Sequence, residues 1–562
     1  MTIAGDAIST DAVPSTERPD RLQKRVRRLA PYLVVALLAQ MALAMLLGAA
    51  KDAPTFDETT HIASGILNVR DRDLRWNAEH PPLTKVLAGL ATLGSNVRIP
   101  TDTAAYREGE EVDFARALLY ENGNDANHLI WLARLPFILL TLLFGLIVYG
   151  FARDLFGQSG ALVGLALYSF CPTVLAHGRL VHADMPLAGF LLATAWFLWR
   201  ASTRGSRWFA PACIVFGLAL LTKFTALLAL PPVLLLAFWT RFARDGVTRA
   251  RLARGALRAI VMLASSVAIV WAGYLAVSPR LRFETTYYDF WGSKAQGMTA
   301  QVVDALPLPR AYRAGLRFTT TYDQQSLHPA FLFGRAYRGG DAAFFPLSLV
   351  SKTPIGSLAL WALGAGALLQ ARKKRALAFL ALIPLGLLAF SVMSNTNIGI
   401  RHVAVVPVFA AVVAGGVTLQ FENRRIMIAT GLLLAFAAVS VWLSFPSHIA
   451  YTNESFGGMA AAPKRFADSN VDWGQDLRRL ADHIALHPEH RPDWILYFGS
   501  PPPSGYGIGA RDITNAPRDS VHGLAAVSVS WLNLEPEKWS WLVEGRQPIA
   551  RVGPSILLYR IP

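Results

Sequence analysis

Acidic and imidazole side chains are concentrated just after the first strongly hydrophobic segment of the chain. Residues 56–61 have the sequence FDETTH, and residues 79–85 of the same polar stretch have the sequence EHPPLTK. Carboxylates next to a low-dielectric boundary are costly unless they are paired, bind a metal or take part in chemistry. We therefore predict a catalytic loop of a membrane enzyme here, with Asp57 and Glu58 as catalytic acids. The alternative is that these carboxylates are merely solvated.

The second motif presents Glu79 and His80 in a fixed direction. Pro81 and Pro82 restrict the backbone and bias His80 away from helix, so both side chains are held just ahead of the next apolar segment. This arrangement suits a metal or phosphate site, and we assign Glu79 to a metal and His80 and Lys85 to a phosphate group. A helix N-terminus with proline in its first turn is the alternative, and it leaves the histidine unexplained.

Further polar residues fall at the predicted ends of later hydrophobic spans. The sequence HADMP contains His182, a candidate metal ligand, and Asp184, a candidate catalytic acid. For Asp184 a helix N-cap followed by proline is an equal alternative. Lys223, Arg401 and His402 are assigned to phosphate binding, because Lys and Arg side chains match phosphate oxygens. A snorkelling lysine is the alternative for Lys223.

The composition is that of a polytopic membrane protein. The 562 residues are 53% hydrophobic and 16% charged, with a mean hydropathy of +0.35, which is too few charges for a soluble protein. The net charge of +16 lies in short clusters between apolar spans, which indicates the positive-inside pattern and not a nucleic-acid-binding domain. The only two cysteines, Cys171 and Cys213, each lie inside a hydrophobic span. The sequence therefore predicts neither a disulfide framework nor a thiolate metal site. The chain has no P-loop or dinucleotide fingerprint, so we expect no nucleotide cofactor.

Hydropathy predicts about eleven transmembrane helices. The predicted spans are 31–50, 129–151, 158–176, 185–199, 208–222, 224–240, 258–277, 353–370, 376–393, 402–420 and 426–444. Lysine and arginine clusters fall on every second loop. The positive-inside rule therefore places the N-terminus in the cytoplasm and the loops 51–128 and 278–345 outside. We expect the protein in the inner (cytoplasmic) membrane.

Three regions are predicted from composition. Residues 1–30 form a disordered cytoplasmic tail, because they are poor in apolar side chains. Residues 31–445 form a transmembrane catalytic domain. Within its first outer loop, segments 83–93 and 112–120 are too short to span and are expected to lie in the membrane interface as amphipathic helices.

From residue 446 the composition is that of a small soluble α/β domain, and the span count places it outside the membrane. An amphipathic segment runs from about residue 466 to 484, and residues 494–498, 523–530 and 555–561 alternate in the manner of strands. We therefore predict an extracytoplasmic domain over residues 446–562.

Taken together, these motifs resemble the GT-C superfamily of polyprenyl-phosphate-dependent glycosyltransferases. The resemblance is carried by residues 56–61, by the acid-His-Pro-Pro-Leu-x-Lys motif of residues 79–85, and by HADMP at residues 182–186. Within the superfamily, the chain is most similar to bacterial relatives of the protein O-mannosyltransferases and the lipid A aminoarabinose transferases. The similarity covers residues 31 to about 240 well and the later spans loosely.

The resemblance implies an inverting glycosyltransferase that moves a hexosyl or pentosyl group from a polyprenyl-phosphate carrier to an acceptor hydroxyl on the outer face. The acceptor would be a protein, a lipid or a glycan of the cell envelope. The family's first-loop acid falls on Asp57 as general base, and Glu58 matches the acid that follows it in the mannosyltransferases. Glu79 matches an acid at a metal site of the aminoarabinose transferases, so a divalent metal ion is a candidate cofactor. Asp184 matches the acid of a later outer loop.

A lipid-linked sugar transporter or flippase is the alternative from another functional class. It would share the hydrophobic groove and the basic phosphate site, but it would have no need for a base at Asp57. Membrane lipids are expected partners under both hypotheses, and nucleic acid is not.

Overall fold

The structure is a computed structural model, and it describes residues 17–239, 248–281, 298–325 and 328–562. Apolar helices dominate it, and five of the described helices are long and apolar enough to cross a membrane. The prediction of an α-helical polytopic membrane protein is confirmed. Residues 1–16 of the predicted tail, and residues 282–297 and 326–327 of the predicted loop 278–345, lie outside the described residues.

Helices form most of the described residues up to residue 443, and five of the seven described strands follow it. The helices before residue 281 are α1 (Glu17–Lys51), α2 (Glu58–Arg70), α3 (Leu83–Ala91), α4 (Ala104–Glu108), α5 (Glu111–Arg116), α6 (Ala126–Ser169), α7 (Pro172–His177), α8 (Asp184–Thr203), α9 (Phe209–Leu220), α10 (Leu230–Trp239) and α11 (Arg249–Val277). The later helices are α12 (Met298–Ala305), α13 (Arg310–Gln325), α14 (Phe344–Ser351), α15 (Ile355–Gln370), α16 (Lys374–Val392), α17 (Val405–Ala414), α18 (Arg424–Leu443), α19 (Gly458–Arg465), α20 (Leu477–Leu486), α21 (Val529–Leu534) and α22 (Pro536–Trp539). The strands are β1 (Pro329–Leu332), β2 (Arg335–Arg338), β3 (Trp494–Leu496), β4 (Arg511–Asp512), β5 (Gly523–Ser528), β6 (Ala550–Val552) and β7 (Ile556–Ile561).

The count of eleven spans stays a prediction. Among the described residues, α1, α6, α11, α16 and α18 are long and apolar enough to cross a membrane, and α14 with α15 forms a pair bent by 106° that would make a sixth span. The predicted spans 129–151 and 158–176 belong largely to one element, α6, because the chain stays helical on both sides of a kink at Gly157. Gly157 has a φ of 74°, which glycine adopts without strain.

The predicted tail is helical in its last part, which corrects the prediction of disorder there. α1 begins at Glu17, ahead of the apolar stretch that starts at residue 31. Residues 17–30 therefore have helical backbone. Their lysines and arginines are good helix formers, so the helix of the apolar segment continues into the basic flank.

The first polar loop contains the four helices α2 to α5, of which α2 and α3 pack against each other. We predicted a catalytic loop here, whereas Glu58 begins α2. α2 and α3 approach closely at Gly65 and Gly89, since a Cβ at either position would overlap the backbone of the other helix. The segments 83–93 and 112–120 are helical, as α3 and as α5 with the turn after it. The loop is therefore a folded platform at the ends of the long helices.

A mixed sheet forms the C-terminal part of the chain. Its strand order is β4-β3-β5-β7-β6, with β3 parallel to β4 and β5, and with β7 antiparallel to β5 and β6. α20 packs on it through Leu477, Leu480 and Ile484. The strands predicted at 494–498, 523–530 and 555–561 are confirmed as β3, β5 and β7. The domain boundary at residue 446 and the location outside the membrane stay predictions.

A buried ion pair ties the start of α2 to α6. Glu58 Oε2 and Oε1 accept hydrogen bonds from Arg134 Nη2 at 2.7 Å and Nε at 2.9 Å, and both side chains are at most 2% exposed. Glu58 also accepts from the backbone N–H groups of Thr55 at 2.8 Å and Val181 at 3.0 Å. The remaining Arg134 donors contact the carbonyls of Ala49, Asp52 and Ala53. With both charges satisfied, the pair fixes the chain on each side of residue 57.

Replacing Arg134 by methionine should lower the free energy of unfolding by about 3–5 kcal/mol, because it leaves the Glu58 carboxylate buried without its cation. Denaturant unfolding of the purified protein in detergent measures this change. The control is Arg116→Met, which breaks exposed pairs with Asp113 and Glu121 and should cost less than about 1 kcal/mol. If both variants lower the free energy of unfolding by the same amount, the buried pair stabilises the protein no more than the exposed pairs do.

Candidate active site

A cavity of about 570 Å³, lined by both charged and aromatic side chains, lies between the start of α2, the helix α13 and the C-terminal part of the chain. Its charged and imidazole lining residues are Asp57, Glu79, His80, Lys223, His328, Arg401, His402, Asp468 and Glu535. A smaller neighbouring cavity contains Asp184 and shares Lys223, Arg401 and His402 with the first. Seven of the residues that the sequence singled out therefore meet at one place, although they lie far apart along the chain.

Asp57 is the carboxylate at the mouth of the cavity. It occupies the N-cap position of α2, but its side chain makes no capping hydrogen bond. Its backbone carbonyl accepts from Thr60 Oγ1 and the His61 N–H, which holds the residue in place. Asp57 Oδ2 lies 3.0 Å from Arg401 Nη1, and the side chain is 30% exposed. The Asp57 carboxylate is therefore anchored through its backbone, paired with Arg401 and partly reached by solvent.

Arg401 links two carboxylates from different parts of the chain. Its Nη1 lies 3.0 Å from Asp57 Oδ2 and 3.5 Å from Asp184 Oδ2. Lys223 Nζ donates to Asp184 Oδ1 at 2.5 Å. Lys223 lies in extended backbone between α9 and a short 3₁₀ helix, and its side chain is largely buried. The two cations balance the two carboxylates here, and both cations also face the cavity.

The segment of residues 468–476 forms the floor under Arg401. Ser469 Oγ accepts from Arg401 Nε at 3.2 Å, and Asn470 Oδ1 accepts from the backbone N–H of Ile400 at 2.9 Å. The Trp473 ring lies 4.0 Å from the Arg401 guanidinium carbon, at cation–π distance. The same segment holds the first loop, because the Trp473 carbonyl accepts from the N–H of Phe56 at 2.9 Å. Segment 468–476 therefore connects Asp57 with Arg401.

Aromatic side chains form the wall opposite the helices. Phe498 lies between Phe56 and Trp531, with ring centroids 6.0 and 5.4 Å apart, and all three line the cavity with Trp473. Trp531 Nε1 donates to the carbonyl of Tyr497 at 3.0 Å, which fixes its ring. This wall has the apolar faces on which a sugar ring or another flat group can pack.

Glu79 and His80 lie on the side of the cavity formed by the start of α3. Burial, together with the negative charges of Glu111 and Asp57, raises the pKa of Glu79 to about 8. Burial also holds the pKa of His80 well below its usual range. At neutral pH Glu79 is therefore largely protonated and His80 is neutral, so both act as hydrogen-bonding groups. His80 contributes no positive charge to the site.

Glu58, Lys85 and His182, which the sequence also singled out, line neither cavity. Glu58 is enclosed by its partners on α6 and in the first loop. Lys85 Nζ donates to the carbonyls of Asn77 at 2.5 Å and His80 at 2.8 Å, so it fixes the turn that carries Glu79. His182 accepts from the Asp184 N–H at 3.1 Å. Their contacts are those of positioning residues.

The assignment of Glu79 and His182 to a metal stays a prediction. Glu79 accepts from Asn77 Nδ2 at 2.9 Å, whereas His182 contacts Asp184. Among the described residues, no group of three histidine, cysteine or acidic side chains with converging ligand atoms contains Glu79 or His182. Arg401 and Lys223 already supply the positive charge that faces the carboxylates.

A second cavity, an apolar groove of about 430 Å³, is lined in part by Pro82. Pro82 is two residues after His80, which lines the first cavity. Its other apolar lining residues come from α2, α3, α9, α11 and the residue after α9: Val69, Leu83, Val86, Leu90, Leu218, Leu221, Ile269, Ala272, Gly273, Ala276 and Val277. A polar head and an apolar tail of one molecule would thus find matching surfaces on the two sides of Pro82.

The sequence motifs missed the C-terminal half of the cavity. Asp468, Trp473, Phe498 and Trp531 lie in the stretch predicted to be a separate soluble domain. One local signal was available, since residues 468–476 have the sequence DSNVDWGQD, which is unusually polar, and most of its side chains are buried. Buried polar residues require partners, but the sequence does not show where those partners lie.

Residues 126–271 match the family model of dolichyl-phosphate-mannose-protein mannosyltransferase. This range includes Asp184 and Lys223, and it begins after the first loop. The family match confirms the resemblance to polyprenyl-phosphate-dependent glycosyltransferases that the motifs indicated. No curated protein sequence matches the chain.

Solved structures also resemble the chain. ArnT from Cupriavidus metallidurans bound to undecaprenyl phosphate is 16% identical, with 94% of this chain and 97% of that chain covered and a TM-score of 0.45. The Archaeoglobus fulgidus oligosaccharyltransferase in the apo form is 15% identical, with 82% and 59% covered and a TM-score of 0.42. The S. cerevisiae protein O-mannosyltransferase Pmt1-Pmt2 complex bound to the sugar donor is 18% identical, with 55% and 40% covered and a TM-score of 0.32.

We expect the thermal stability of the protein to fall as the pH rises, because of the buried carboxyl group of Glu79. Its pKa is about 8 in the folded protein, against an ordinary value of 4.5. Between these values the folded protein holds a proton that the unfolded chain releases, so stability is lost as pH increases from about 4.5 to 8. Glu79→Gln should flatten this part of the profile of Tm against pH, measured in detergent from pH 5 to 9.

The control for this measurement is Glu108→Gln, an exposed acid of the same outer loop. Its profile should follow that of the unmodified protein. If the Tm of the Glu79→Gln variant also depends on pH as that of the unmodified protein does, the raised pKa of Glu79 is wrong.

Proposed function

We propose that the protein is a membrane glycosyltransferase that moves a sugar from a polyprenyl-phosphate carrier to an acceptor hydroxyl on the outer face of the inner membrane. The observation that carries the proposal is the partly exposed Asp57 carboxylate beside Arg401, in a cavity lined by charged and aromatic side chains, with an apolar groove lined by the nearby Pro82. The match to the mannosyltransferase family model over residues 126–271 supports it.

The donor phosphate would bind where Arg401 and Lys223 face the cavity. Arginine and lysine form short charge-assisted hydrogen bonds to phosphate. These cations are engaged with Asp57 and Asp184, so a phosphate would compete for Arg401 and release Asp57. His402 and the neutral His80 would add hydrogen bonds. The carbons of the lipid would continue past Pro82 into the apolar groove.

The acceptor would enter from the aromatic side. Phe498 and Trp531 offer apolar ring faces, and Asp468 lies nearby on the same cavity wall. Burial raises the pKa of Asp468, and its carboxyl group adds a hydrogen-bonding partner to this side of the cavity. A hydroxyl-bearing acceptor suits this mixed polar and aromatic surface.

Asp57 would act as the general base. As the acceptor oxygen forms its bond to the anomeric carbon, its proton passes to Asp57, and the bond between that carbon and the phosphate oxygen breaks. The bonding electrons leave with the phosphate oxygen, where Arg401 and Lys223 stabilise the added negative charge. Attack opposite the leaving group inverts the configuration. Glu58 and Lys85 would hold the loop in position, and no step requires a metal.

Replacing Asp57 by asparagine should lower transfer from a synthetic polyprenyl-phosphate sugar at least about 100-fold, the usual contribution of a general base. The measurement is the release of polyprenyl phosphate by the purified enzyme, with binding of undecaprenyl phosphate measured in parallel and expected to persist. Asp71→Asn is the control, because Asp71 is an exposed carboxylate at the end of the same helix.

Undiminished release by the Asp57→Asn variant would rule out the base assignment. Movement of intact lipid-linked sugar across liposomes without release of polyprenyl phosphate would favour a transporter instead.

Arg401→Lys and Lys223→Gln should each weaken binding of undecaprenyl phosphate in detergent about 10-fold or more, since each loses a charge-assisted hydrogen bond worth about 1.5–3 kcal/mol. Microscale thermophoresis with a fluorescent short-chain analogue measures the affinity. Lys373→Gln, an exposed lysine between α15 and α16, should bind like the unmodified protein. Equal affinities in all three variants would place the phosphate elsewhere.

A further inference from the structure

Three of the twelve histidines lie within eight residues at the end of α20. The ring centroids of His483, His487 and His490 are 4.8 to 5.4 Å apart. Imidazole is the commonest metal ligand among protein side chains. The cavity described above uses none of these residues.

The backbone around these histidines is well ordered by its own hydrogen bonds. The N–H of His487 donates to the His483 carbonyl at 2.8 Å, and the N–H of His490 donates to the His487 carbonyl at 2.9 Å. Pro488 restricts the turn between them. α20 is anchored on the sheet through Leu480 and Ile484. The side chains are therefore presented from a fixed support.

We propose that His487, Glu489 and His490 form a surface site for a zinc ion. Their ligand atoms lie within 4.8 Å of one another. His487 Nδ1 and Glu489 Oε1 are 3.3 Å apart, which is close to the separation of two ligands about 2.0–2.1 Å from a tetrahedral zinc ion. Imidazole and carboxylate together suit zinc better than calcium or magnesium, which prefer oxygen alone.

His483 orients His490 for this site. His483 Nε2 and His490 Nδ1 are 2.9 Å apart, so one donates a hydrogen bond to the other. That leaves the second ring nitrogen of His490 for the ion, as in metal sites where the far nitrogen of the ligating histidine is hydrogen-bonded. The three protein ligands leave the fourth position to water. The site is independent of the proposed glycosyl transfer.

The test uses the full-length protein in detergent, freed of any affinity-tag histidines and stripped with a chelator. Isothermal titration with Zn²⁺ should show one tight site per chain, and Co²⁺ should give the visible absorption of a tetrahedral complex. The His487→Ala/His490→Ala double variant should lose both signals. His483→Gln should weaken zinc binding about 10-fold or more.

His128→Ala is the matched control, because His128 is an exposed histidine elsewhere on the chain and should leave zinc binding unchanged. Gel filtration of each variant verifies its fold. The proposal is overturned if the unmodified protein binds no zinc, or if the double variant binds zinc as tightly. Unchanged binding in His483→Gln would remove His483 from the site.

Discussion

The candidate site depends on the guanidinium of Arg401. It contacts the carboxylates of Asp57 and Asp184, lies against the ring of Trp473 and is held by Ser469. A buried positive charge is costly unless it is paired. The segments that carry the partners of Arg401 must therefore come together when the protein folds. The need to neutralise one buried cation therefore assembles the first loop, the start of α8 and the segment 468–476 at one point.

The same pairing gives the site its chemistry. Arg401 pairs with two carboxylates, so it can give up its contact with one of them, bind a phosphate in its place, and still be paired with anions. In the proposed reaction this exchange couples donor binding to release of the base. The neighbouring pair of Glu58 and Arg134 has no such freedom, since both groups are fully buried and hydrogen-bonded. The adjacent acids therefore have different roles. Asp57 can separate from its cation, whereas Glu58 stays in a permanent buried ion pair.

The sequence predicted much of this site, because its acids, imidazoles and prolines stand out against apolar surroundings. It did not show which of Asp57 and Glu58 faces the cavity. Successive residues at the start of a helix point about 100° apart, so neighbours in the motif face different surroundings. Lys85 was assigned to phosphate binding for its charge alone. In the structure its ammonium group donates hydrogen bonds to backbone carbonyls instead. Trp473 and Phe498 were missed, since their contacts join residues hundreds of positions apart.

A cryo-EM structure of the protein with undecaprenyl phosphate would show whether Arg401 holds the donor phosphate. We expect that the phosphate contacts Arg401 and Lys223, that the lipid follows the groove past Pro82, and that Asp57 separates from Arg401. A phosphate bound elsewhere, with the contact of 3.0 Å between Asp57 and Arg401 intact, would contradict this expectation.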